Sequence, residues 1–198
     1  TDNLGGVRKA IGNHEALMKV IKENKTAFRI EMGDGEANDA LDAVSAWQSG
    51  DATLIEQLHH DAKVFISGGE KSGFGGSLIE MINDAPPTNI KLYRGLSLDR
   101  SAITKLIKKK EFDLNLSSFS ESEKVGEEFS QYTTDDDVVK VILELGEGAK
   151  SLPIFGIGDD GFSYQLEHIS YGRFNILSWN FDRSIGGGTY MVKIAQVK

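Results

Sequence analysis

The chain of 198 residues is 39% hydrophobic and 26% charged, a balance that reads as a soluble globular protein with room for one good core. Its net charge of −8 argues against broad binding to a phosphate backbone, and the absence of cysteine excludes disulfides, thiolate metal sites and a cysteine nucleophile. No apolar run approaches bilayer length, TDNLGG lacks a charged-then-apolar signal pattern, and Thr1 in place of Met reads as an excised domain or processed chain.

Residues 1 to about 85 read mostly as helices. VRKAIGNHEALMKVIKENK places Val7, Ile11, Leu17, Met18 and Ile21 near helical spacing. DGEANDALDAVSAWQSG carries Ala37, Ala40, Leu41, Val44 and Trp47 on an apolar face and stops at Gly50. Asp51 is a cap for ATLIEQLHHDAKVFI, GSLIEMIND predicts a short helix opening at Ser77, and Pro86-Pro87 closes the helical part. The pattern then changes. NIKLYRGL predicts a strand ending in a glycine turn, DRSAITKLIKKK a helix, EFDLNLSSFS a strand and SESEKVGEEFSQY a short helix. DVVKVILEL, KSLPIF, YQLEHIS, GRFNILSW and GTYMVKIAQV are strand candidates separated by Gly, Asp and Ser. Helices first and strands later make an α+β chain, with a helical part over 1–87 and a β core over 88–198 in one compact domain.

Several chemical spellings fail their context. Gly156, Gly158 and Gly161 spell a dinucleotide turn, but they lead into the strand-like FSYQLEHIS and not into a helix. GGEKSGFGGS has Glu70 before Lys71 where a phosphate loop needs glycine, so it reads as a flexible link between helices. His59 and His60 are neighbours on a helix and point about 100° apart, which suits a shared metal poorly. His14 and His168 have no ligand partner at recognisable spacing. Asp135-Asp136-Asp137 reads as an exposed turn, and Lys105, Lys108, Lys109 and Lys110 as a solvated helix face.

Three features survive in chain order: LYRGL with Arg94, LSSFSES with Ser118, Ser120 and Ser122, and YQLE with Gln165 and Glu167. This set resembles the mono-ADP-ribosyltransferases of the arginine–serine–glutamate class. Their pattern is an arginine ending a strand, a Ser-x-Ser strand end and a Gln-x-Glu or Glu-x-Glu strand start. Glu121 replaces the usual middle threonine, and its side chain is expected to point away from the site. The resemblance is closest to the C3-like exoenzymes that modify Rho-type GTPases. GFSYQLEHISYGRFNI is similar to their loop and strand, with Phe162 three residues before Gln165. Phe129, nine residues after Ser120, stands where that family carries the aromatic facing the nicotinamide. That family places an arginine shortly afterwards to hold the diphosphate; SQYTTDDD has Tyr132 and acids there. Phage and toxin-borne transferases share the broader pattern. The resemblance covers about residues 88–198, and the helical part matches only in kind.

The resemblance implies a mixed, mainly antiparallel two-sheet core and transfer of ADP-ribose from NAD+ to an acceptor, with no metal. It implies a monomeric, secreted or injected toxin or effector that acts in the cytosol of a target cell, without a membrane partner. The residues fit that chemistry. Cleaving the nicotinamide–ribose bond builds positive charge on the ribose carbon, and a carboxylate favours that charge as it develops. Glu167 is the candidate, with Gln165 on the same strand face and the Ser120 hydroxyl fixing its rotamer. Arg94 offers a fixed fork to the phosphates, the Gly95 backbone comes close to the nicotinamide amide, and Ser118 belongs with the NAD+ contacts. Phe129 stacks on the nicotinamide ring. Phe162, Tyr164 and Gln165 face the acceptor, on a loop whose base is flexible at Gly156–Gly161. A neutral amide at 165 is a poor base but pairs with an amide or nucleobase edge. That favours an Asn or Gln side chain of a host protein, or a nucleobase, over arginine, and a protein over nucleic acid. Two rivals stay open: an NAD+ glycohydrolase and a catalytically inactive binding module.

Overall fold

The computed structural model describes residues 42–85, 87–130, 137–154, 165–184 and 188–198, without the side chains of Phe129 and Ser130. The helix expected over 7–25, His14, Tyr132, Asp135, Asp136, the glycines 156, 158 and 161, Phe162 and Tyr164 lie outside them. The chain divides into two units. One takes the described residues of Thr1–Pro86 and Lys150–Ser170, the other those of Pro87–Ala149 and Tyr171–Lys198.

In the first unit, α1 (42–48) buries Ala43, Val44 and Ala46 and ends at Gly50, where φ is 68°. The Asp51 side chain caps α2 (Ala52–Ile66) by accepting from the Leu54 amide at 3.0 Å, satisfying one of the donors a helix start leaves over. Helix α3 (Gly73–Asp84) opens four residues before Ser77 and takes in glycines that the sequence reading gave to a flexible link. The reason lies in packing. A Cβ on Gly75 would run into the Leu58 carbonyl of α2, and one on Gly73 into the Asp61 carboxylate. The glycines are there to let two helices approach, so they join a helix that their propensity disfavours. Buried Leu78, Ile79 and Ile82 supply the apolar face.

The second unit holds β1 (Leu92–Asp99), α4 (Arg100–Lys109), β2 (Glu111–Ser120), α5 (Glu123–Ser130), β3 (Val138–Leu145) and β6 (Thr189–Gln196). It also holds β5 (Glu167–Asp182) from Tyr171 onward; β4 (Leu152–Pro153) and the first residues of β5 belong to the first unit. Contrary to the two sheets expected, the described strands form one mixed sheet ordered β2-β1-β3-β6-β5-β4. Strands β3 and β6 run parallel, while the β1–β2, β1–β3, β5–β6 and β4–β5 pairs are antiparallel. A further pairing joins β2 to β5, where the Ile176 amide reaches the Lys110 carbonyl at 2.7 Å. That contact brings the β2 edge back onto β5, so the strands curl into one layer where two faced sheets were expected.

Its core is Leu92, Ile103, Phe119, Val141, Leu143, Leu145, Phe174, Val192 and Ile194, with Phe112 stacked on Phe174 at 5.8 Å. Each such side chain removed from water contributes about 1.5–3 kcal/mol before the entropy of ordering it. Two boundaries differ from the sequence reading. Gly95 sits inside β1, paired with Ile142 of β3, where a turn was expected, because a β3 ladder running from Leu92 to Asp99 holds the segment extended. YQLEHIS and GRFNILSW are a single strand, β5, that begins at Glu167.

Candidate active site

Arg94 is the third residue of β1 and lies opposite Leu143 of β3, inside the strand where a strand end was expected. Its Nη1 donates to the Ser118 carbonyl at 2.8 Å, and its buried Nε has no hydrogen-bond partner among the described residues. Strands β1 and β2 meet where Tyr93 faces Ser120, so the arginine and the serine motif share one corner of the second unit. Ser120 is 3% exposed, and its Oγ accepts from the Ser122 amide at 3.0 Å. This bond turns the chain out of β2 and into α5. Helix α5 lies close over β1: a Cβ on Gly126 would stand 3.1 Å from the Cβ of Tyr93. Burial, followed by the Glu144 and Glu123 carboxylates, pushes the neighbouring Tyr93 phenol up. The Phe129 backbone continues α5.

Gln165 and Glu167 belong to the first unit. Glu167 opens β5, and its carbonyl accepts from the Ile154 amide at 3.0 Å. Its Oε1 accepts from the Trp47 indole Nε1 at 2.9 Å, across 120 residues of sequence. The Trp47 ring is met edge-on by His59 of α2, with centroids 5.6 Å apart. The residue between the pair, Leu166, has φ of 46°, a left-handed conformation that costs a non-glycine residue about 1–2 kcal/mol. Gln165 is therefore not two steps back on an extended strand. Strand alternation, expected to put both side chains on one face, does not apply across this turn; both residues are half-buried. Behind them, buried His168 shares a 2.9 Å hydrogen bond between Nδ1 and the Ser151 hydroxyl, a structural role for a histidine that the sequence left without a partner.

The arrangement supplies a guanidinium fork beside serine hydroxyls in one unit and a positioned carboxylate in the other. The first set suits an anionic phosphate group, the second a developing cation. Sequence reading placed Trp47 on the apolar face of a helix and missed its contact. No local pattern announces it, because only the fold brings position 47 to position 167. Among the described residues no group of three His, Asp or Glu could hold a metal ion, and no helix is long and apolar enough to cross a membrane.

No protein-family model and no curated protein matches the chain. Solved structures do. Vis toxin, an ADP-ribosyltransferase from Vibrio splendidus, aligns with a TM-score of 0.60 at 16% identity, over 93% of this chain and 86% of that one. Plx2a, an ADP-ribosyltransferase toxin from Paenibacillus larvae, aligns with a TM-score of 0.56 at 10% identity, over 91% and 96%. The C3 exoenzyme of Clostridium limosum gives 0.55 at 14% identity, over 88% and 95%.

Proposed function

We propose that this chain, which has the fold of the ADP-ribosyltransferases, moves ADP-ribose from NAD+ to an acceptor and releases nicotinamide. The observation that carries the reading is the Arg94–Ser118 bond, which joins the arginine and serine motifs on adjoining strands of that fold. In the reaction the bond between the ribose carbon and the nicotinamide nitrogen breaks, and its electron pair leaves with neutral nicotinamide. The acceptor then forms a bond to the same carbon and gives up a proton.

Glu167 stabilises the positive charge on the ribose as it develops and so lowers the barrier more than it strengthens binding. Arg94 holds the diphosphate, the hydroxyls of Ser118 and Ser120 and the Gly95 backbone contribute to NAD+ binding, and Phe129 covers the nicotinamide. Gln165 reads the acceptor together with Phe162 and Tyr164. As a neutral amide it favours an Asn or Gln side chain of a host protein, or a nucleobase, over a guanidinium. Vis has been crystallised with agmatine, a guanidine, so the acceptor is the point on which the two proteins are expected to part. The chain acts as a monomeric toxin inside a target cell.

The test is labelled NAD+ added to bacterial and eukaryotic lysates, with protease and nuclease treatment of the product. Label that protease releases supports a protein acceptor, and label that nuclease releases supports a nucleobase. Free ADP-ribose without labelled macromolecule would make the protein a glycohydrolase. Glu167→Gln is expected to lower nicotinamide release by about a thousandfold with the fold intact; full activity in that variant would defeat the assignment.

A further inference from the structure

We propose that Trp47 is a positioning residue for Glu167 during NAD+ cleavage, an inference that rests on the function proposed above. Three contacts within the first unit carry it. The Trp47 indole N–H donates to Glu167 Oε1 at 2.9 Å. His59 meets the indole edge-on, which limits the ring's freedom to turn. The Ile154 amide holds the Glu167 carbonyl, so the backbone of that residue and its carboxylate are each fixed by a separate element. The carboxylate needs this help. It begins its strand directly after Leu166, at φ of 46°, and a first strand residue lacks the preceding ladder that would steady its backbone.

The chemistry of the donor fits the task. An indole N–H donates and cannot accept, so it orients a carboxylate oxygen in one sense only. It is also neutral. A lysine or arginine in its place would hold the carboxylate equally well, but would offset the negative charge meant for the ribose. Trp47 therefore fixes where the charge points and leaves its magnitude intact. A misplacement of about 1 Å in such a group costs on the order of a hundredfold in rate, so the loss expected without the indole donor is about ten- to a hundredfold in kcat.

The experiment has two arms on the full chain. The sequence has two tryptophans, Trp47 and Trp179, so an amide–indole correlation spectrum carries two indole signals. Glu167→Gln is expected to move the Trp47 signal and leave that of Trp179 in place; an unmoved Trp47 signal overturns the contact whatever the enzyme does. In the second arm Trp47→Phe keeps an aromatic ring, smaller than the indole, and removes the donor. It is expected to lower kcat for nicotinamide release while KM for NAD+ stays within about twofold and Tm is unchanged. Trp47→His, which returns an N–H, is expected to recover part of the rate. A wild-type kcat in Trp47→Phe, or a joint fall of kcat, NAD+ affinity and Tm, overturns the positioning role while the proposed function stands. No nicotinamide release by the wild-type protein overturns both.

Discussion

The two units hold their proposed site residues by different means. In the second, Arg94 sits in the middle of β1, with a β3 ladder from Leu92 to Asp99 along one side and Ser118 as its partner on β2. Its place is set by backbone pairing, repeated along the strand, and a local fault would be shared among many bonds. In the first, Glu167 opens its strand after a left-handed leucine, where the Ile154 amide meets its carbonyl and the Trp47 indole meets its carboxylate. A phosphate clamp tolerates a rigid frame, whereas a carboxylate acting on a reacting carbon depends on a small number of directed bonds.

The largest effect is expected at Gly75. Gly75→Val drives side-chain atoms into the Leu58 carbonyl, so α2 and α3 must separate. A loss of about 3 kcal/mol in chemical denaturation is expected, and an unchanged midpoint would contradict the close packing. Next comes Arg94→Lys, which keeps the charge and removes the fork. With one charged hydrogen bond lost, at about 2 kcal/mol, kcat/KM for NAD+ is expected to fall about thirtyfold, mainly through KM. A fall carried by kcat alone would move Arg94 from binding to the chemical step.

Leu166→Gly tests the other unit's strained turn. Glycine in a regular strand or helix costs up to about 1 kcal/mol, but here relief of the left-handed strain offsets the loss. Tm is therefore expected to hold to within about 2 °C; a clear drop would mean that residue 166 is not left-handed. The smallest effect belongs to Asp113. The hydrogen bond from Arg173 holds the carboxyl below its ordinary value of 3.8, against the opposing effect of desolvation and with a smaller contribution from that guanidinium's charge. Its contribution is present in full above that ordinary value and fades as pH falls through the lowered one. Both side chains are exposed, so Asp113→Asn should leave Tm at neutral pH almost unchanged, with the difference from wild type shrinking further in acid.

Much of this was legible in the chain. Asp51 as a helix cap, the apolar faces of α2 and α3, and the β-branched run of β3 each declare a local preference that the fold keeps. Arg94, Ser118 and Ser120 could be singled out because their motifs resemble those of the arginine–serine–glutamate transferases. Element boundaries were harder to read. Gly95 looked like a turn and is held extended by β3, and Gly73, Gly75 and Gly76 looked like a link and lie in a helix that has no room for a Cβ at Gly75 beside the Leu58 carbonyl. In both places a partner distant in sequence overrides a local preference.

The sequence by itself determined the α+β order of elements, the absence of cysteine chemistry and the identity of the arginine, serine and glutamate candidates. The first two follow from composition and periodicity, which each short segment carries on its own; the candidates follow from the resemblance of their motifs to those of the arginine–serine–glutamate class. The tertiary structure alone decided that the strands make one sheet, that Arg94 binds Ser118, and that Trp47 holds Glu167. These are pairings between residues 24 and 120 positions apart, and in strands that pair at the β2 and β5 edges. A hydrogen bond selects its partner by distance and direction, and no local pattern encodes either across such separations.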